Sequence, residues 1–204
     1  MAKLPGLHLS ESEVYQEIDA SELLGVDLSK DPLLAQSIGQ AVVDYMRERT
    51  LSGKDAFGES FATYSKSYKQ SQDYQFAGKS SKVNMKLRGF MLTSMDFEES
   101  SGVYRFGFDD PEENAKAYGH MTGMEGHKHL QGKTPVRFFF GISEDDFKQE
   151  IERKFGDDLK ALAEDDTTAE DITGALFGQS QTQAASSTVT LDSILGDSFL
   201  DEEF

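Results

Sequence analysis

Three of the four histidines, His120, His127 and His129, fall in one glycine-rich stretch, GHMTGMEGHKHLQGK, beside Glu125. Imidazoles with a carboxylate are zinc-ligand types, so a metal site is the first chemistry to weigh. Their spacing matches no rigid ligand pair on a helix, and the stretch reads as a solvent-exposed connection. It also lacks the glycine spacing and terminal Lys-Ser/Thr of a phosphate-binding loop. Nucleophilic catalysis needs a hydroxyl, thiol or amine beside a base. Ser94 and His120 are available, but no nucleophile-elbow pattern pairs them. Neighbouring carboxylates such as Asp109 and Asp110 could serve acid–base chemistry, yet among 37 acids such adjacency is expected by chance. No catalytic residue, cofactor or metal is therefore assigned, and the chain is expected not to be an enzyme.

The 37 acids and 20 bases give a formal net charge of −17. Residues 1–30 hold six acids and two bases, residues 31–155 nineteen and seventeen, and residues 156–204 twelve and one. A nearly balanced centre with acidic ends suggests an N-terminal arm (1–30), a central α+β domain (31–164) and an acidic tail (165–204). Net negative charge argues against broad electrostatic binding of nucleic acid and leaves room only for a local basic patch. With no cysteine, disulfides and thiolate chemistry are excluded and packing must supply the stability. No apolar run has signal-peptide or membrane-spanning character. The expectation is a soluble protein used in the cytoplasm, or carried in a particle assembled there, without membrane contact.

The elements that would position any site follow from local pattern. Leu9, Ser10, Glu13 and Val14 form a helix-start signature, predicting a short amphipathic arm helix with Val14 and Ile18 on one side. Such a helix is too short to stand alone, so it is either a frayed terminus or an arm that orders on a neighbouring subunit. Asp31–Pro32 starts the best helix, with Leu34, Ile38, Val42 and Tyr45 at helical spacing as far as Arg49. From Thr50 a long loop is anchored by Phe57, Phe61, Tyr64, Tyr68, Tyr74 and Phe76. Aromatics interleaved with lysines could stack bases, but a surface loop held by its rings is the preferred reading.

The block Val83–Met95 centres on Gly89, which suits an unusual backbone angle or a close approach. Phe97, the turn Ser100–Gly102 and Val103–Phe108 predict a hairpin with Tyr104, Phe106 and Phe108 on a buried face. Asp110 and Pro111 open another short helix. Val136, Phe138 and Phe140 alternate with Arg137 and Phe139, predicting a strand with both faces covered, by this chain or by another copy. Ser143 caps a helix carrying Phe147, Ile151, Phe155, Leu159 and Leu162, which Gly156 could divide.

Two adhesive segments punctuate the tail. Thr167 and Glu170 form a capping box before Ile172, Leu176 and Phe177; farther on, Leu191, Ile194, Leu195 and Phe199 share a helical face. The candidate partner contacts are these seven tail residues, Val14 and Ile18 in the arm, and Arg137 with Phe139 at the strand.

The ordered series FATYSKSYKQS, FAGKSSKVNMKLRGFMLTSM, KAYGHMTG and TPVRFFFGIS resembles the phage virion-morphogenesis and tail-completion family of small head–tail joining proteins. The resemblance covers about residues 34–155. Arg88 stands where the family has threonine, the loop Met121–Lys133 is longer than the common form, and the acidic tail lies outside the match. The resemblance implies a long helix on a small curved antiparallel sheet, used in a ring between head and tail. Its partners would be copies of itself, adjacent neck, connector and tail proteins, and genomic DNA passing through the lumen without sequence-specific binding. A tail-terminator or other neck-layer ring is one alternative. An acidic regulatory protein that mimics DNA, supported by charge alone, is another.

Overall fold

The computed structural model describes residues 4–76, 83–85, 89–123 and 135–181, with the backbone alone at Asp73 and from 165 onward. The chain divides into two units, Met1–Ala163 and Glu164–Phe204. The first is an α+β fold built on a four-stranded antiparallel sheet in the order β1 (Leu7–Leu9), β2 (Val14–Asp19), β4 (Val103–Phe108), β3 (Met95–Ser100). The hairpin β3–β4 forms where expected, turning through Ser101 and Gly102 at φ values of +52° and +81°.

One face of the sheet is covered by α2 (Pro32–Leu51), which buries Leu34, Ala35, Ile38, Val42, Val43 and Met46. Asp31 caps it by accepting from the amides of Leu33 and Leu34, as the Asp–Pro start predicts. Helix and sheet approach closely at Gly39, where an added Cβ would lie 2.1 Å from the Phe97 ring. Tyr104, buried on β4, donates its hydroxyl to the carbonyl of Ala35 at 2.7 Å and so stitches the layers together. Gly89 has φ of +96° and introduces the short α5 (Phe90–Thr93), and Arg47 of α2 donates to the carbonyls of Leu92, Thr93 and Met95.

Residues 4–30 are not an arm. Ser10 does accept from the Glu13 amide through its hydroxyl, but the same residues exchange backbone hydrogen bonds and close the β1–β2 hairpin. Val14 and Ile18, expected on a helix facing a neighbour, lie on β2 at 1% and 5% exposure, inside the core. The alternation Val14, Gln16, Ile18 is a strand pattern disguised by a polar middle residue. Gln16 is fully buried because its amide donates to the carbonyls of Pro5 and Ile142 and accepts from the Ile142 amide, which removes the cost of burying a polar group. β2 then continues into α1 (Ala20–Leu24) and a 3-10 turn at Leu28–Lys30.

Helix α6 (Pro111–Thr122) is capped by Asp110 and tied to β2 by Asn114, whose carbonyl accepts from the Val14 amide at 2.7 Å. Helix α7 (Glu144–Gln181) starts after Ser143, whose hydroxyl accepts from Asp146. Its run is interrupted at Phe155, with φ of −129° and ψ of 15°, beside the Gly156 expected to divide it. No separate helix begins at Thr167, because the backbone there is already helical. In the second unit, residues 164–181 are helical.

Candidate partner-binding surface

The segment from Pro135 to Ser143 is the hub of the candidate surface, and it is not the expected sheet strand. Phe139, Phe140 and Ile142 are fully buried, so both sides are covered as expected, but the segment pairs with no strand of the sheet. Other elements hold it instead. The Arg137 amide donates to the carbonyl of His120 at the end of α6, the Phe139 amide turns back onto Arg137, and the Ala56 amide donates to Phe138. At the end of α2, Thr50 donates to the Phe139 carbonyl at 3.2 Å, and Arg49 donates to the carbonyls of Phe139 and Gly141 at 3.1 and 2.7 Å. The result is a strap laid across the ends of α2 and α6 and pinned to β2 through Gln16.

Of the two residues expected to contact a partner here, Phe139 is fully buried and Arg137 is 7% exposed. Both are packed within their own chain. The exposed strap residue is Val136, at 49%, with half-buried Phe138 beside it.

Two short pieces of the long loop extend the strap into a belt. Residues 53–61 form a compact turn in which the Asp55 carboxylate accepts from the amides of Phe57 and Glu59, and the Phe61 amide donates to Gly53. This presents Phe57 at the tip, 40% exposed, with its ring 5.8 Å from that of Phe138 in an edge arrangement. The Arg137 guanidinium lies 5.9 Å from the ring of Tyr64. Tyr64, Tyr68 and Tyr74 pack mutually with centroid separations of 5.1 to 5.6 Å, joining α3 (Lys66–Lys69) to α4 (Gln72–Phe76). At the end of α4, Phe76 is 88% exposed. Lys54, Glu59, Lys66 and Lys69 stand exposed in these same segments.

Among the described residues 54–76, Lys54, Lys66 and Lys69 are matched in number by Asp55, Glu59 and Asp73. Among the described residues, the ion pairs of arginine are those of Arg47, Arg105 and Arg153, and none involves Arg49 or Arg137. The buried Nε of Arg137, and Nε and Nη1 of Arg49, lack hydrogen-bond partners. Burial pulls the Arg49 pKa below its ordinary value, partly opposed by Tyr45 and Asp146, and burial likewise raises the Tyr45 hydroxyl.

No cluster of three His, Asp or Glu side chains among the described residues could hold a metal ion. His120 lies on α6 with its ring edge-on to Phe139, while His127 and His129 lie outside the described residues. Ile172, Leu176 and Phe177 fall on the helical backbone of α7 where side chains are not described; Leu191, Ile194, Leu195 and Phe199 lie outside the described residues. No helix among the described residues is long and apolar enough to cross a membrane. Against family models, curated proteins and solved structures, the chain finds no match.

Proposed function

We propose that this chain is a structural subunit of the phage head–tail interface, a neck or tail-completion protein that assembles with copies of itself into a ring joining head to tail. The observation that carries the reading is the belt: Phe57, Phe76 and Val136 stand exposed, with the Phe57 ring 5.8 Å from that of Phe138 next to Val136. Exposed apolar side chains grouped on a surface are the makings of a protein contact. The ordered motifs from FATYSKSYKQS to TPVRFFFGIS supply the virion assignment.

The action is geometric. A heterologous contact repeated between copies closes a ring when its rotation allows closure. An acidic subunit adds little attraction for duplex phosphates, which suits a lumen through which DNA slides.

The deciding experiment is cryo-electron microscopy of virions from the phage that encodes the chain, with the neck refined under its own symmetry. Density for this chain as a ring between head and tail is the expected result. Its absence from the particle would overturn the assignment.

A further inference from the structure

We propose that α7 carries a hinge at Phe155–Gly156, on which the segment Asp157–Ala163 opens from the core while residues 144–154 stay in place. The inference goes beyond the ring reading and does not depend on it.

The sequence RKFGDDL reads as the end of one helix followed by the start of another. Arg153 and Lys154 stand in the last turn before the break, Asp157 and Asp158 in the first turn after it. Bases favour the negative end of a helix dipole and acids the positive end, and the middle of one continuous helix offers neither end. Ion pairing follows the same division. Glu150, 9% exposed, takes both Arg153 at 2.8 Å and Lys154 at 3.0 Å, whereas Asp157 faces Lys160 at 3.9 Å. Among the described residues no ion pair crosses the break.

The backbone departs from the helix at the same point, with Phe155 at φ of −129° and ψ of 15°. Gly156 is not needed there for a close approach, because a Cβ built on it meets nothing within 4 Å. What it supplies is a chain that bends at low cost. The bend has a use in packing. On a straight helix each step of four residues turns a side chain by about 40°, so the three steps from Phe147 to Leu159 would carry Leu159 about 120° off the buried line. Leu159 is nevertheless buried, at 8% exposure.

The two halves are held unequally. Phe147 and Ile151 are fully buried before the break, whereas Leu159 is the one buried side chain of residues 157–163, with Leu162 and Ala163 half-buried against the core. A segment with so few buried contacts opens at a lower free energy than the elements it rests on. The second half is therefore a flap that closes through Leu159.

Amide hydrogen exchange of the full-length chain, resolved by residue in NMR and repeated at several low denaturant concentrations, tests the hinge. Residues 160–163 should exchange at least about tenfold faster than residues 148–154, through an opening that depends little on denaturant. Gly156→Ala, which meets no clash, should slow exchange at 160–163 about two- to fivefold and leave 148–154 unchanged. Asp157→Asn with Asp158→Asn should speed it about threefold at low salt and less at high salt.

One rate and one denaturant dependence on both sides of Gly156 would overturn the proposal, because α7 would then open as a single helix as far as residue 163. Exchange of 160–163 at the rate of an unstructured chain would overturn it as well, since no closed flap would exist. Variants that move both sides equally, or neither, would show that Gly156 and the two aspartates do not govern the opening, and the hinge would be lost with them.

Discussion

Arg105 and Arg137 each lie against a tyrosine, on two different surfaces of the same fold, and their circumstances differ. Arg105 stands on the face of the sheet opposite α2, 3.9 Å from the ring of Tyr15, with His8 stacked on the same tyrosine and Glu13 completing an ion pair. A groove of about 340 Å3 runs past it, walled by Asp96, Glu98 and Asp109. Every charge there is partly in water, and the arginine has both a ring and a carboxylate. Arg137 has a ring at 5.9 Å, almost no exposure and no carboxylate among the described residues. The first surface is finished by its own chain. The second carries uncompensated positive charge under exposed aromatic side chains, which is why partner binding is placed on the strap and not on the open sheet.

The largest effect that would break this contrast comes from Gln16, the residue that joins the two regions. Gln16→Leu removes three hydrogen bonds and leaves the buried carbonyl and amide of Ile142 unanswered. At about 1–3 kcal/mol for each unsatisfied buried group, the loss should be roughly 3–5 kcal/mol in denaturant unfolding. Hydrogen exchange should accelerate first at Ile142. If exchange there is unchanged, the strap is held by something other than β2.

The next effect concerns the side of β4 that faces away from Arg105. Tyr104→Phe keeps the ring and deletes the bond to the Ala35 carbonyl, for an expected cost of about 1–2 kcal/mol. Burial also holds the Tyr104 hydroxyl far above its ordinary value of 10.0. Because the neutral form is favoured in the fold, this contribution is complete below the unfolded value and is lost as pH rises above about 10. The variant should therefore lose less stability than wild type between neutral and strongly alkaline pH. An unaltered alkaline profile would show that Tyr104 is not the group responsible.

Much of the sheet layer was legible in sequence because its signals are local. Asp31–Pro32, Gly89, Ser100–Gly102, Asp110–Pro111 and Ser143 each dictate their own turn or cap, and each appears where the residues require it. Two readings failed for one shared reason: an apolar period was read without knowing what lay on the other side. Val14 and Ile18 fit a helix spacing and a strand spacing equally well, and the deciding residue, Gln16, is polar and buried only because Ile142, distant in sequence, satisfies it. Phe138 to Phe140 alternate like a strand, yet the segment is bonded to the ends of α2 and α6 through Thr50, Arg49 and His120, which no local pattern announces. The belt was half legible. Phe61 and the three packed tyrosines anchor the loop as expected, but Phe57 and Phe76 stand exposed instead, and the exposure of Phe57 at an Asp55-capped turn and of Val136 beside it depends on how the strap is held.

A smaller effect, opposite in sign, should come from Arg137. Arg137→Met keeps most of the volume while removing a buried charge that has no ion-pair partner among the described residues. Exchanging buried charged groups for apolar ones of similar size is often neutral or stabilising by about 1–4 kcal/mol, so a gain near the lower end is expected for the isolated chain in thermal unfolding. A loss of several kcal/mol would mean that the guanidinium is already matched, and the contrast with Arg105 would disappear.

The smallest effect belongs to Arg105 itself. Both it and Glu13 are substantially exposed, at 40% and 53% of their side-chain areas, and an exposed pair contributes only about 0.2–1 kcal/mol. Stacking on Tyr15 adds about 0.5–1 kcal/mol. Arg105→Met should therefore cost no more than about 1–2 kcal/mol at low salt, and part of that cost should vanish at high salt, where the ion-pair component is screened. A double-mutant cycle with Glu13→Gln separates the two components, because the coupling it measures is the ion pair alone. Coupling below 1 kcal/mol that falls with salt is the behaviour of a solvated finishing contact. Larger coupling that salt does not weaken would mean that the open face is more enclosed than its exposure indicates, and this face would then join the strap as a candidate interface.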